Sequence, residues 1–226
     1  MEHLLNNPVY HALNSRDAHL GAGAGKVKYF DAAVSPFIAF SEDCDNGFEQ
    51  LFDMLPAGRR ILYATRTRIP EPEGWEVKNE ITGLQFVFNG TAATTDDQSP
   101  LVPLESTHAD EMIALATLTK PGPFDKRTIE FGHYYGVFDN DRLVAMTGQR
   151  LHPYNYSEIS AVCTHPDYLG KGYAAALIRH QLKIICDSGE IPFLHVRDDN
   201  ERAISLYERL GFTQNGPMNF YFMKRR

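Results

Sequence analysis

The chain of 226 residues carries 22 Lys and Arg against 29 Asp and Glu, a formal net charge of −7, with 43% hydrophobic and 23% charged residues. This is an ordinary composition for a soluble globular protein, long enough for one large domain or two small ones, and its acidity argues against a general nucleic-acid binder. The three cysteines, Cys44, Cys163 and Cys186, form no CxxC pair, and the chain opens without a basic start and apolar run. The expectation is a reducing cytoplasm, no disulfide framework, no metal site and no membrane segment.

In chain order, a helical opening runs from Pro8 to His19, followed by the Gly-rich turn Gly21 to Lys26. Short apolar runs at Val27–Tyr29 and Phe37–Phe40 read as strands, and Asn46 to Leu55 reads as a helix with Phe48, Leu51, Phe52 and Leu55 on one face. Ile61–Ala64 and Gln85–Phe88 are further strand candidates. The polar, turn-rich stretch Asn89 to Pro100 reads as a linker, which divides the chain into a small α+β lobe, 1–98, and a second domain, 99–226.

Beyond the linker, Val102–Leu104 is a short strand, and Thr107 caps a helix running to about Leu118, where the run Leu118 to Phe124 breaks it. Phe131–Phe138 and Leu143–Leu151 read as strands joined by the turn Asp139-Asn140-Asp141. Glu158–Thr164 is another strand. A helix follows from Tyr173 to about Asp187, with Ala174, Leu177, Ile178, Gln181, Leu182 and Ile185 at helical spacing and Gly189 at its end. Phe193–Val196 is a strand, Glu201–Leu210 a helix closed by Gly211, and Tyr221–Met223 a final strand.

Chemistry concentrates where the strand ending at Thr164 feeds Leu169-Gly170-Lys171-Gly172-Tyr173-Ala174 and then a helix. Free N–H groups at a helix start, helped by the helix dipole, attract anions, and glycines keep Cβ atoms out of the way. The earlier Gly21 to Lys26 run imitates a phosphate loop but fails it: three residues separate its outer glycines, and Val27 follows the lysine. No HxxxH or HExxH spacing suggests zinc.

Leu169 to Ala174 and the later Asn200-x-x-Ala203-x-x-x-Tyr207-x-x-x-Gly211-Phe212 together resemble two signatures of the GNAT N-acetyltransferase superfamily, including its glycine N-acyltransferase-like branch. The resemblance covers about Leu101 to Arg226 and departs from the pattern at Leu169, where the family carries Gln or Arg. It implies an α+β fold with a mixed, mainly antiparallel sheet flanked by helices, the first half being a smaller, degenerate lobe of the same kind. It also implies an acetyl-CoA-dependent N-acetyltransferase acting on a primary amine of a small molecule or amino acid, with no metal. The expected partners are the acyl donor, the amine acceptor and a second copy of the chain, with neither nucleic acid nor membrane.

By the same resemblance, Ala161, Val162 and Thr164 offer backbone groups to the pantetheine arm, Leu169 to Ala174 hold the pyrophosphate, and Asn200 and Ala203 lie beside the donor. Tyr207 is the candidate proton donor to the departing thiolate, and Glu158 the candidate acceptor of the amine's proton. His133, Tyr134, Tyr135 and Tyr154 are candidates for lining the acceptor pocket. Two rival readings are a GNAT-like module that binds CoA without catalysis, and a phosphate-loop nucleotidase built on the first half.

Overall fold

The computed structural model describes residues 3–90 and 101–226, so most of the sequence-drawn linker, residues 91–100, lies outside the described residues. Eleven strands form a single sheet: β1 (Gly21–Ala24), β2 (Val27–Phe30), β3 (Phe37–Phe40), β4 (Arg60–Thr65), β5 (Trp75–Phe88), β6 (Val102–Pro103), β7 (Tyr135–Asp139), β8 (Arg142–Gln149), β9 (Tyr156–Thr164), β10 (Ile191–Arg197) and β11 (Phe212–Arg225). Their order across the sheet is β1-β2-β3-β4-β11-β5-β10-β9-β8-β7-β6. The β3–β4 and β9–β10 pairs are parallel and the others antiparallel, so the sheet is mixed and mainly antiparallel, as the resemblance implied. The helices are α1 (Pro8–Leu13), α2 (Gly47–Met54), α3 (Ala109–Thr119), α4 (Tyr173–Asp187) and α5 (Glu201–Arg209).

The two halves of the sequence interleave. β5, from the first half, lies between β10 and β11 from the second, and its register with β11 runs from Phe212↔Phe88 to Arg225↔Trp75. One buried cluster takes Phe30, Phe37 and Leu62 from the first half and Met112, Met146 and Phe193 from the second. Asp17 accepts hydrogen bonds from the backbone N–H of His152 at 2.8 Å and from its ring at 2.7 Å, with both side chains buried. The division at residues 98 and 99 therefore crosses a shared sheet and a shared core.

Several elements differ from their sequence expectation for local reasons. The strand expected from Phe131 begins only at Tyr135, because Thr128–Phe131 form a 3-10 turn and Gly132 and His133 both have positive φ, 93° and 55°. The strand at Gln85–Phe88 extends back to Trp75 and the last strand spans Phe212–Arg225. Their polar stretches are held by pairing with each other rather than by an alternating apolar face. The opening helix stops at Leu13, with a separate 3-10 turn at Ala18–Leu20, and Gly21 to Ala24 become the edge strand β1. The hairpin at Asp139-Asn140-Asp141 forms as expected, with Asn140 and Asp141 at φ 47° and 65°.

Candidate active site

α4 packs against the sheet through Leu177, Ile178, Gln181, Leu182 and Ile185, all buried, as its spacing requires. Its N-terminus follows directly on β9 and the loop. Gly170 and Gly172 have φ of 81° and 84°, a left-handed conformation that side chains resist, and a Cβ on either would meet nothing within 4 Å. The glycines thus supply the turn's shape and leave open space above the first N–H groups of α4. Gly172 stands at the N-cap, with no side-chain cap on those groups. Lys171 places its ammonium 4.5 Å from the ring centroid of Tyr168, whose hydroxyl donates to Asp139 at 2.6 Å. Leu169 is 49% exposed.

β9 carries the second feature. Its pairing with β10 is confined to Tyr156–Glu158 against Ile191–Phe193, and beyond that point the two strands share no register although both continue. On its other edge β9 bulges against β8: the register steps from Gly148↔Ser160 to Met146↔Cys163, and Ala161 takes φ 53°. Ala161, Val162 and Thr164 thus have no register partner in β10, and Ala161 is buried. The Thr164 hydroxyl is buried without a hydrogen-bond partner.

α5 covers one face of this region. Asn200 caps it, its side chain accepting from the Ala203 N–H at 3.2 Å, which leaves the side-chain NH2 on an exposed residue. Tyr207 is buried, its ring 6.0 Å from Phe212 and 6.5 Å from Phe86. Burial pushes its phenol up to about 12, so it is protonated at neutral pH and can act as a donor.

Ser160 and Ala161 of the bulge also border a small cavity of about 10 Å³, room for about one water, lined further by Pro121 to Phe124, Thr128, Tyr134 and Arg150. Tyr134 is the one acceptor-pocket candidate from the sequence that lines it. Its ring lies over Gly148, where a Cβ would come within 2.3 Å of Cδ1. The other three candidates lie elsewhere. Tyr135 packs 4.2 Å from the His180 ring on α4, and His133 turns the chain and offers its carbonyl to Gln181. Tyr154 is 49% exposed, with its ring 6.0 Å from His11. The first half backs the cavity: the Thr128 hydroxyl donates to the Val34 carbonyl, and Phe37 lies 4.9 Å beneath the Arg150 guanidinium.

Glu158 is fully buried and does not line the cavity; it reaches it through Arg150. Arg150 Nε donates to Oε2 at 2.8 Å and Nη2 to Oε1 at 2.5 Å. His195 Nδ1 lies 2.7 Å from Oε1. The polarity of the chain follows from Gln85. Its Oε1 accepts from Arg66 and Asn215, and its Nε2 donates to the Leu5 carbonyl and faces His195 Nε2 at 2.9 Å. His195 therefore accepts at Nε2 and donates from Nδ1 to Glu158, as a neutral imidazole. Burial alone would raise the Glu158 carboxyl, but the Arg150 charge and hydrogen bonds, aided by His195, outweigh it and hold the group at about 2. Arg150 was absent from the sequence expectations: nothing in a lone Arg one residue past a strand marks it, and the partners that fix it lie eight residues away in Glu158 and in the first half.

A mixed sheet split between two parallel strands, with a bulge in one and a Gly-turned helix start at the mouth of the split, defines a GNAT fold. A family model described as FR47-like protein matches residues 134–221. A crystal structure from Novosphingobium aromaticivorans, described as coming from the GNAT family, is 34% identical over all of both chains with a TM-score of 0.92. The chain belongs to the GNAT family. Among curated relatives, N-alpha-acetyltransferase RimI of Mycobacterium tuberculosis is 32% identical over 94 residues, 40% of this chain and 58% of that protein. Mycothiol acetyltransferase of Corynebacterium efficiens is 35% identical over 78 residues, 34% of this chain and 26% of that protein. The chain thus spans between about a quarter and three fifths of the length of these curated relatives.

Proposed function

We propose that this chain transfers an acetyl group from acetyl-CoA to a primary amine. The observation that carries this reading is the pair of openings on either side of the bulged Ala161. One is the split between β9 and β10, leading to the α4 N-terminus, and the other is the cavity at Tyr134 and Arg150. A transferase needs two substrates to meet at one point from separate approaches, and a CoA-binding module needs only the first opening. The names of the two curated relatives, both acetyltransferases, support the same donor.

Acetyl-CoA, when bound, supplies the thioester carbonyl that the amine attacks. The open edge at Ala161, Val162 and Thr164 would hold the pantetheine arm by backbone hydrogen bonds, and the orphaned Thr164 hydroxyl fits a polar group there. The N–H groups at Gly170 to Ala174, with Lys171, would hold the pyrophosphate. Asn200 would add its side-chain NH2, with Ala203 beside it. Tyr207, kept protonated by burial, would donate a proton to the departing sulfur.

In this account Glu158 is an anchor rather than the base we expected from the sequence. A carboxylate held at about 2, with Arg150 and His195 already bonded to it, draws little of a proton from an ammonium near neutral pH. The amine instead enters as its free base, so activity rises with pH toward the acceptor's own pKa. The three cysteines are free, which suits the reducing cytoplasm we propose as the setting.

The test is release of free CoA thiol from acetyl-CoA across a panel of amines and amino acids. Amine-dependent release supports the transferase reading. Saturable CoA binding with no release on any amine would favour the non-catalytic module instead.

A further inference from the structure

We infer, building on the transferase reading, that the acceptor carries a carboxylate near its amine and that the outer amino group of Arg150, Nη1, recognises it. Glu158 takes up the Nε and Nη2 side of the guanidinium in a two-pronged pair. Phe37 supports its flat face. The fork is therefore fixed in orientation, and Nη1 projects toward the cavity wall, where a Cβ on Gly122 would lie 3.8 Å from it. Among the described residues no hydrogen bond uses Nη1. The Arg150 side chain is only 12% exposed, and a carboxylate on Nη1 would make a charge-assisted bond with a donor that no protein group uses.

The rest of the cavity narrows the chemistry. Pro121, Pro123 and Phe124 offer apolar surface, while Tyr134 and Ser160 bring the hydroxyl-bearing side chains nearest the bulge. A planar anion matches a guanidinium edge, and a charge-assisted N–H···O bond is about twice as strong as a neutral one. A polyamine acceptor would instead set a second cation beside Nη1. The internal Glu158 partner also explains how the cation stays buried before the acceptor arrives. On this assignment Glu158, His195 and Gln85 are positioning residues: they hold Arg150 and touch no substrate.

The experiment compares matched pairs of α-amino acids and their primary carboxamides as acceptors. The readout is kcat/KM from thiol release, expressed per free-base amine because amidation lowers the amine pKa. The acids should exceed their amides by about tenfold or more, the penalty expected when a site built to bond a polar group meets a ligand lacking it. In Arg150→Lys, which keeps a cation beside Glu158 but loses the fork, that ratio should fall toward one through a higher KM for the acids. Retained CoA binding serves as the check that the variant is folded. Should Arg150→Lys not fold, ligand-induced shifts in Tm of the wild-type protein, with CoA present, give the same comparison and should favour the acids. Equal use of acids and amides, or a preference for amides, overturns the acceptor assignment and leaves the transferase reading standing. No turnover on any acceptor overturns both.

Discussion

The proposed donor side and the proposed acceptor side of this site are built on opposite plans. The donor side is nearly contiguous: β9, the loop at 169–172, α4, and then α5 after one intervening strand. In that proposal its key groups are backbone N–H and C=O, and its side chains mostly shape the chain. The acceptor side is assembled from distant pieces. Arg150 stands between Glu158 and Phe37, and the hydrogen-bond chain behind it runs through His195, Gln85 and Arg66 to Leu5. A cradle of backbone groups depends little on any one side chain, whereas a buried charge network depends on each of its members.

That contrast predicts a steep order of effects. Glu158→Ala leaves the Arg150 cation buried without its partner and should cost about 3–5 kcal/mol of stability, read by chemical denaturation. A loss under about 1 kcal/mol would show that the network is not the rigid element claimed here. The same pair sets a pH window. Because the folded-state pKa lies below the ordinary 4.5, its contribution is fully present above 4.5 and is lost as pH falls toward about 2. The wild type should therefore lose stability with acid across that window, and Glu158→Gln should show a shallower slope there.

On the donor side the effects shrink. Gly172→Ala adds a methyl group that clashes with nothing but forces φ 84° on an L-residue, at about 1 kcal/mol of strain. Calorimetric titration should show CoA binding weakened roughly fivefold if that strain is relieved by reshaping the cradle. Affinity unchanged within error would mean that the loop's shape matters less than the helix end. Smaller still is Leu169→Arg, which restores a cation at an exposed position. It should tighten CoA binding about two- to fivefold at low salt, with the gain fading as salt is added.

The legibility of the two regions in the sequence follows their plans. α4 was readable to its last residue because its apolar spacing and flanking glycines are local signals. The family motifs on Leu169 to Ala174 and Asn200 to Phe212 are contiguous as well. β5 and β11 were under-read because residues such as Glu76, Asn79 and Glu80 are held by cross-strand pairing, which leaves no mark on their own alternation. The division at residue 98 failed to anticipate β5 lying between β10 and β11, since strand order is a long-range property. In the acceptor region, the proximity of Tyr134 to Gly148 depends on two consecutive positive-φ residues that no spacing rule flags. Tyr135 and His133 were chosen by residue type, and neither lines the cavity beside Tyr134.

The most direct test is Tyr207→Phe, assayed for thiol release at saturating acetyl-CoA and, separately, for CoA affinity. Loss of a general acid should lower kcat by about a hundredfold with affinity little changed, because the ring and its packing remain. Turnover equal to wild type would contradict the assignment of Tyr207 as the proton donor.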